Sequence, residues 1–144
     1  MCEEEIDQER ILKNKSVYVL HCSDCNAVLC KRGMRAMLLA DINVQLFSTD
    51  RPLDTVQLAS RDYFTLSCRC MIRDVACYMC GNIVGYHVSQ PCKKCLNSRN
   101  NGHLWIFDME KIAWRKRCSI QGSILRWNVL CPYEIENEDE IVIR

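Results

Sequence analysis

Three Cys-x-x-Cys pairs, Cys22/Cys25, Cys77/Cys80 and Cys92/Cys95, and one Cys-x-Cys pair, Cys68/Cys70, account for most of the twelve cysteines in this 144-residue chain. Thiols at such spacings exchange disulfides, build a disulfide framework or hold a soft divalent cation. A two-residue spacer in a tight turn aims two sulfurs at one point, and two such turns complete a tetrahedral zinc site with bonds of about 2.3 Å. In such turns the residue after the second cysteine commonly swings to positive φ, letting backbone N–H groups point at sulfur. Gly81 follows Cys80 and adopts that conformation without steric cost. Asn26 follows Cys25, and asparagine tolerates it better than most side chains. Leu96, after Cys95, does not fit. The sequence therefore pairs the first two turns, with Cys22, Cys25, Cys77 and Cys80 around one zinc.

A thioredoxin-type couple is the competing reading, but it wants a strand-to-helix setting with the first cysteine at a helix N-terminus. Cys77–Cys80 instead opens into "GNIVGYHV", an alternating pattern with two glycines. Cys68, Cys70, Cys92 and Cys95 form a candidate second cage, in which His103 is a candidate substitute for one thiolate. Against it stand buried inert thiols at Cys68 and Cys70, and a hydrogen-bonded structural role for His103. One zinc is expected and a second left open. Cys2, Cys30, Cys118 and Cys131 lack partner spacing.

The elements that must position these turns read as strands. Short apolar alternations recur in "SVYVLHC", "VQLF", "YFTLSC", "IVGYHV", "LWIF" and "SILRWNVL", separated by turn-prone segments. "MEKIAWRKR" at 109–117 is the best short-helix candidate, and "GMRAMLLAD" is ambiguous. The expected organisation is an acidic arm over 1–15, a zinc-binding β domain over 16–131 and an acidic tail over 132–144. Hydrophobic residues make up 49% and charged residues 26% of the chain, as in ordinary globular domains. The net charge of +1 supplies no overall field for nucleic acid or anionic membrane. No apolar run reaches the ~18 residues of a membrane span. The acidic start lacks the basic and apolar regions of a secretory signal, so a reducing intracellular setting is expected, where paired cysteines favour metal over disulfides.

The pair Cys22/Cys25, a gap of about fifty residues, and Cys77/Cys80 followed by Gly85 and an aromatic resemble the yippee-type zinc domain. "RGMRAMLLAD", "LFSTD", "ACYMCGNIVGYHV" and "NNGHLWIF" look more narrowly like the family-with-sequence-similarity-seventy-two proteins, over roughly Cys22 to Trp127. The resemblance implies a mostly β fold, a β-tent of two antiparallel sheets pinned by structural zinc, with one or two short helices. It further implies a non-catalytic adaptor, nuclear and cytoplasmic, that binds nuclear uracil-DNA glycosylase, lowers its level and so modulates base-excision repair. From the residues, Leu125, Arg126 and Trp127 are the candidate partner contacts, because Trp and Arg are the commonest interface anchors. In an alternating segment Leu125, Trp127 and Val129 would share one face. The opposing reading makes Trp127 core.

Two alternatives stand beside the adaptor. A methionine sulfoxide reductase of the B type also uses a zinc-bearing β-tent, and Cys118 after "WRKR" is the candidate nucleophile. The following "SI" lacks that family's asparagine, and no aromatic–histidine set accompanies it. A small-ligand or peptide reader of cereblon type would need Trp105, Trp114 and Trp127 to form an aromatic cage.

Overall fold

The computed structural model describes residues 14–38, 41–65, 69–93 and 103–130. Most of the proposed acidic arm and all of the tail, with Cys68, Cys95 and Cys131, lie outside the described residues.

Strands carry the fold. They are β1 (Tyr18–Cys22), β2 (Val28–Leu38), β3 (Asp41–Thr49), β4 (Val56–Leu58), β5 (Tyr63–Phe64), β6 (Met71–Cys77), β7 (Ile83–Gln90), β8 (Trp105–Asp108) and β9 (Ile112–Lys116). The mostly β expectation holds; a 3-10 turn spans Trp127–Val129, and Asn14 and Lys93 are helical. That turn is too short to cross a membrane.

The long strand β2 organises the architecture. Its first half pairs antiparallel with β1 (Leu20 opposite Cys30), and β1 pairs with β9, making a small first sheet. Its second half pairs with β3 (Arg35 opposite Phe47), opening a larger second sheet in the order β2-β3-β8-β7-β6-β4. One strand thus serves both layers, and the ladder curls around the side chains between them. A bulge interrupts β1–β2 pairing between Tyr18 and Leu20 and again before His21, the kind of irregularity that sharpens local twist.

The core lies in that fold of the sheet. Phe47 of β3 is fully buried and meets Tyr18 edge-on at 5.0 Å and Trp114 at 5.3 Å, so a second-sheet ring packs against two first-sheet rings. Leu20, Leu29, Val75, Val84 and Phe107 complete the cluster around it. A smaller group on the other face of the second sheet joins Ala36, Leu46 and Ile106 with Tyr86. β3 and β8 therefore bury apolar side chains on both faces, Leu46 and Ile106 on one and Phe47 and Phe107 on the other.

Two expectations need correction. "MEKIAWRKR" is not a helix: residues 112–116 form β9, paired with β1 from Cys22–Ile112 to Tyr18–Lys116. Helix-forming residues there yield to strand pairing, which buries Ile112 and sets Trp114 against Phe47. "SILRWNVL" is not a strand. It carries an isolated bridge between Cys118 and Ile124 and then the 3-10 turn.

Gly85 is fixed by sheet geometry. It lies opposite Phe107, and a Cβ there would stand 1.9 Å from the Ile106 carbonyl oxygen. The obstructing atom is backbone and cannot rotate away, so β7 and β8 would have to separate. Gly85→Ala is expected to cost more than about 2 kcal/mol, at the upper end for overpacking. Denaturant titration checks this, and an unchanged midpoint would contradict the close approach.

Candidate metal centre

Cys22 is the last residue of β1 in the first sheet, and Cys77 is the last residue of β6 in the second. Each strand runs into a turn built in the same way. In the first, the Asn26 N–H bonds the Cys22 carbonyl at 2.9 Å and the Cys22 N–H bonds the Ala27 carbonyl at 2.9 Å. In the second, the Gly81 N–H bonds the Cys77 carbonyl at 2.7 Å and the Cys77 N–H bonds the Asn82 carbonyl at 2.9 Å. Asn26 has φ 64° and Gly81 φ 81°, the left-handed conformation expected after each second cysteine. The two turns are linked directly by the Asn82 side-chain amide, which donates to the Asp24 carboxylate.

These turns bring four sulfurs together. The Sγ atoms of Cys22, Cys25, Cys77 and Cys80 all lie within 4.8 Å of one another. Two short approaches join one turn to the other, Cys22 to Cys80 at 3.6 Å and Cys25 to Cys77 at 3.5 Å. A disulfide needs about 2.05 Å, whereas sulfurs about 2.3 Å from a tetrahedral zinc stand roughly 3.8 Å apart. The spacing therefore fits a shared cation and does not fit a bond. Cross-turn proximity also argues against two independent redox couples.

Backbone donors complete the site. Cys22 Sγ accepts N–H bonds from Cys25 and Asp24, Cys25 Sγ from Ala27, and Cys80 Sγ from Asn82. At Cys22, burial raises the thiol pKa, but the Cys25 and Asp24 donors and the neighbouring sulfurs outweigh it, and the net direction is down. At Cys25 the Ala27 donor lowers the pKa, yet burial and the sulfurs of Cys77, Cys80 and Cys22 carry it up to about 12. Without a cation the four sulfurs must hold protons between them. With one, those protons leave. Cys22 and Cys77 are buried while Cys25 and Cys80 face solvent. Four thiolates fill a tetrahedral shell, which marks a structural site and not an open catalytic one.

Over residues 9–143 the chain matches the family model described as Yippee homolog 2 zinc finger protein. The chain belongs to that Yippee family. Its fold is also similar to the crystal structure of the Mis18 "Yippee-like" domain, with a TM-score of 0.50 and 16% sequence identity over 68% of this chain and 94% of that one. The likeness to Mis18 concerns the fold alone. In this Yippee domain the cysteine cluster is the zinc site, and Cys22, Cys25, Cys77 and Cys80 are the residues that would hold the ion.

The remaining candidates take different positions. Trp127 is half-buried between an imidazole and a guanidinium: His103 lies 5.1 Å from its ring and Arg32 5.2 Å. Arg32 is held by the Asp50 carboxylate through two bonds of 2.9 Å, and His103 Nδ1 meets Ser48 Oγ at 2.9 Å. Sequence reasoning missed this polar cluster. Leu125 is half-buried, and Arg126 is exposed, donating to the Asn14 carbonyl at 2.7 Å. The three tryptophans have separate ring partners: Trp105 stacks on His87 at 4.0 Å, Trp114 packs on Phe47 and Trp127 on His103. The Cys118 sulfur faces the Lys116 carbonyl at 3.8 Å.

Two outcomes follow from these sites. Cys80→Ser removes an exposed ligand without emptying the core, so lost packing cannot explain its effect. Structural zinc contributes roughly 10–16 kcal/mol of apparent binding free energy, comparable to or above the usual margin of about 5–15 kcal/mol. The variant is therefore expected to lose one zinc by native mass spectrometry and its cooperative melting transition; wild-type values for both would contradict the site. His103 gives a pH signature. Burial is the main cause holding its pKa down to about 4, with Arg32 and Lys15 adding to the effect against Asp50. The unfolded chain binds this proton more readily, so stability is full above about pH 6.5 and falls as pH drops toward 4. The loss amounts to about 3 kcal/mol for this group. His103→Gln should flatten the dependence of unfolding free energy on pH across that window, and an identical slope would refute it.

Proposed function

We propose that this Yippee-family domain is a non-catalytic adaptor whose partner is nuclear uracil-DNA glycosylase, acting in nucleus and cytoplasm to lower that enzyme's level and modulate base-excision repair. The partner is suggested by the four sequence blocks that resemble the seventy-two family. The observation that carries a docking role is the surface of residues 119–130. Ile120 is 81% exposed, Val129 62% and Ile124 43%, beside the exposed guanidinium of Arg126. Exposed apolar side chains on one short segment with an arginine suit a protein interface.

Geometry refines which residues meet the partner. Trp127 anchors the segment to the body by its contacts with Arg32 and His103. Its neighbours Ile124, Arg126 and Val129 face outward. Trp127, Arg126 and Leu125 remain the proposed binding group, with Trp127 and Leu125 setting the position of the segment. The zinc clasp supplies rigidity, because β1 and β9 carry residues 14–17 and 117–118, and these hold the segment through bonds such as Val17 N–H to the Leu125 carbonyl at 3.0 Å.

Trp127→Arg alone confounds binding with packing, since it sets a second cation beside Arg32. Val129→Asp and Arg126→Glu avoid this. In a pull-down with the organism's own uracil-DNA glycosylase, the wild-type chain should retain the enzyme. The double variant should lose at least tenfold in affinity with an unchanged melting temperature. Failure of the wild type to bind would refute the partner, and full binding by the double variant would refute the surface.

A further inference from the structure

Beyond the clasp, Cys70 and Cys92 meet at the far end of the β6–β7 ladder, where the Cys70 Sγ accepts the Cys92 N–H at 3.2 Å. Among the described residues that pair offers two donors, too few for a closed zinc site. The first sheet has an opening of another kind. Its order ends on β9, which pairs with β1 on one side and with no described strand on the other.

The phase of the hydrogen bonds decides what the open side presents. The Arg117 N–H bonds the Val17 carbonyl at 2.7 Å, and the Ser23 N–H bonds the Lys111 carbonyl at 3.2 Å. Between these pairs the register runs unbroken from Tyr18–Lys116 to Cys22–Ile112. Residues 111, 113, 115 and 117 therefore turn their backbone groups toward β1, while Ile112, Trp114 and Lys116 turn theirs away. The Lys116 carbonyl meets the Cys118 Sγ at 3.8 Å, and the other outward groups have no partner among the described residues.

Side chains decide which strand would fit. From Lys111 to Arg117 the chain carries four cations and no acid. Residues 113–116 are exposed, and the Trp114 ring, though packed on Phe47, keeps 41% of its surface open. Charged side chains on a sheet edge ordinarily guard it against pairing, but here the guard has one sign. A second copy of this chain would set cations beside cations, which is unfavourable across a ladder, whereas a strand bearing carboxylates gains from them. Phosphate would neutralise the same charges but makes no use of alternating N–H and C=O groups.

We propose that β9 is a docking edge for an acidic, extended segment of a partner protein, joined by strand addition. The incoming main chain bonds the outward groups of Trp114 and Lys116. Its carboxylates face Arg115 and Lys116, and an apolar side chain covers the open part of Trp114. The edge uses none of residues 119–130, so the inference is independent of the adaptor reading.

The probe is a blocked peptide of alternating glutamate and valine, titrated onto the full chain and followed by residue-resolved amide exchange. Protection should rise at Trp114 and Lys116, while Ala113 and Arg115, already bonded to β1, stay as they were. The same peptide with every amide N-methylated keeps its charge, loses its donors and should not bind. Arg115→Glu combined with Lys116→Glu should weaken binding of the unmethylated peptide about tenfold, at an unchanged melting temperature. No binding to the wild type would overturn the proposal. So would equal binding of the methylated peptide, or binding without new protection at Trp114, since either shows charge attraction alone. A concentration-dependent dimer that excludes the peptide would give the edge to a second copy, and displacement of the peptide by an oligothymidylate would give it to nucleic acid. Either result also overturns it.

Discussion

Four sulfurs at the tips of two turns hold together strands that share no backbone pairing. β1 pairs with β2 and β9, β6 with β4, β5 and β7, and the two families of strands meet at Cys22 and Cys77. Sheets that lean together along one shared strand are free to splay at the opposite edge unless something closes it. A cation does so with a fixed tetrahedral geometry and an energy on the scale of the whole folding margin. Hydrogen bonds support the closure at short range. Leu53 donates to Leu29, Tyr78 to Thr55, and the Thr55 hydroxyl to the Val28 carbonyl.

The remaining structure follows from that closure. With the edge pinned, Phe47 is trapped between Tyr18 and Trp114, and the core fills the wedge. Within the second sheet, β8 pairs so closely with β7 that the Ile106 carbonyl occupies the place of a Cβ, which is why position 85 has no side chain. At the open side, residues 117–130 fold back over β1 and β2, and Trp127 is caught by Arg32 and His103. Arg32 is 5% exposed. Its burial is compensated by Asp50, whose own desolvation is outweighed by the paired guanidinium so that its carboxyl stays below the usual range. A pair of this kind, with the guanidinium buried and the carboxylate at the surface, gives positional definition more than net stability, and definition is what a docking segment requires.

The clasp was legible because its signals are local. Cysteine spacing and the conformational demands on Asn26 and Gly81 depend on a few consecutive residues, and alternation marked most strands. The errors arose where distant contacts decide. Residues 112–116 contain good helix formers, but their pairing with β1 and the burial of Ile112 come from 90 residues away. Residues 123–130 alternate like a strand, yet they meet residues 15–17 and 117–118 through isolated bridges and single bonds and then close into a turn. The Arg32–Asp50–Ser48–His103 cluster joins three of the blocks that carried the family resemblance, "RGMRAMLLAD", "LFSTD" and "NNGHLWIF". Their polar residues were the available sign that these blocks meet.

The role of the clasp as the constraint on which both sheets depend can be tested most directly by hydrogen–deuterium exchange, read segment by segment before and after zinc removal. A shared dependence requires that β1, β3, β6 and β8 lose protection together when the metal is withdrawn and regain it together when zinc is restored. Loss confined to residues 22–27 and 77–82, with β3 and β8 still protected, would show that the sheets stand without the ion and would contradict it.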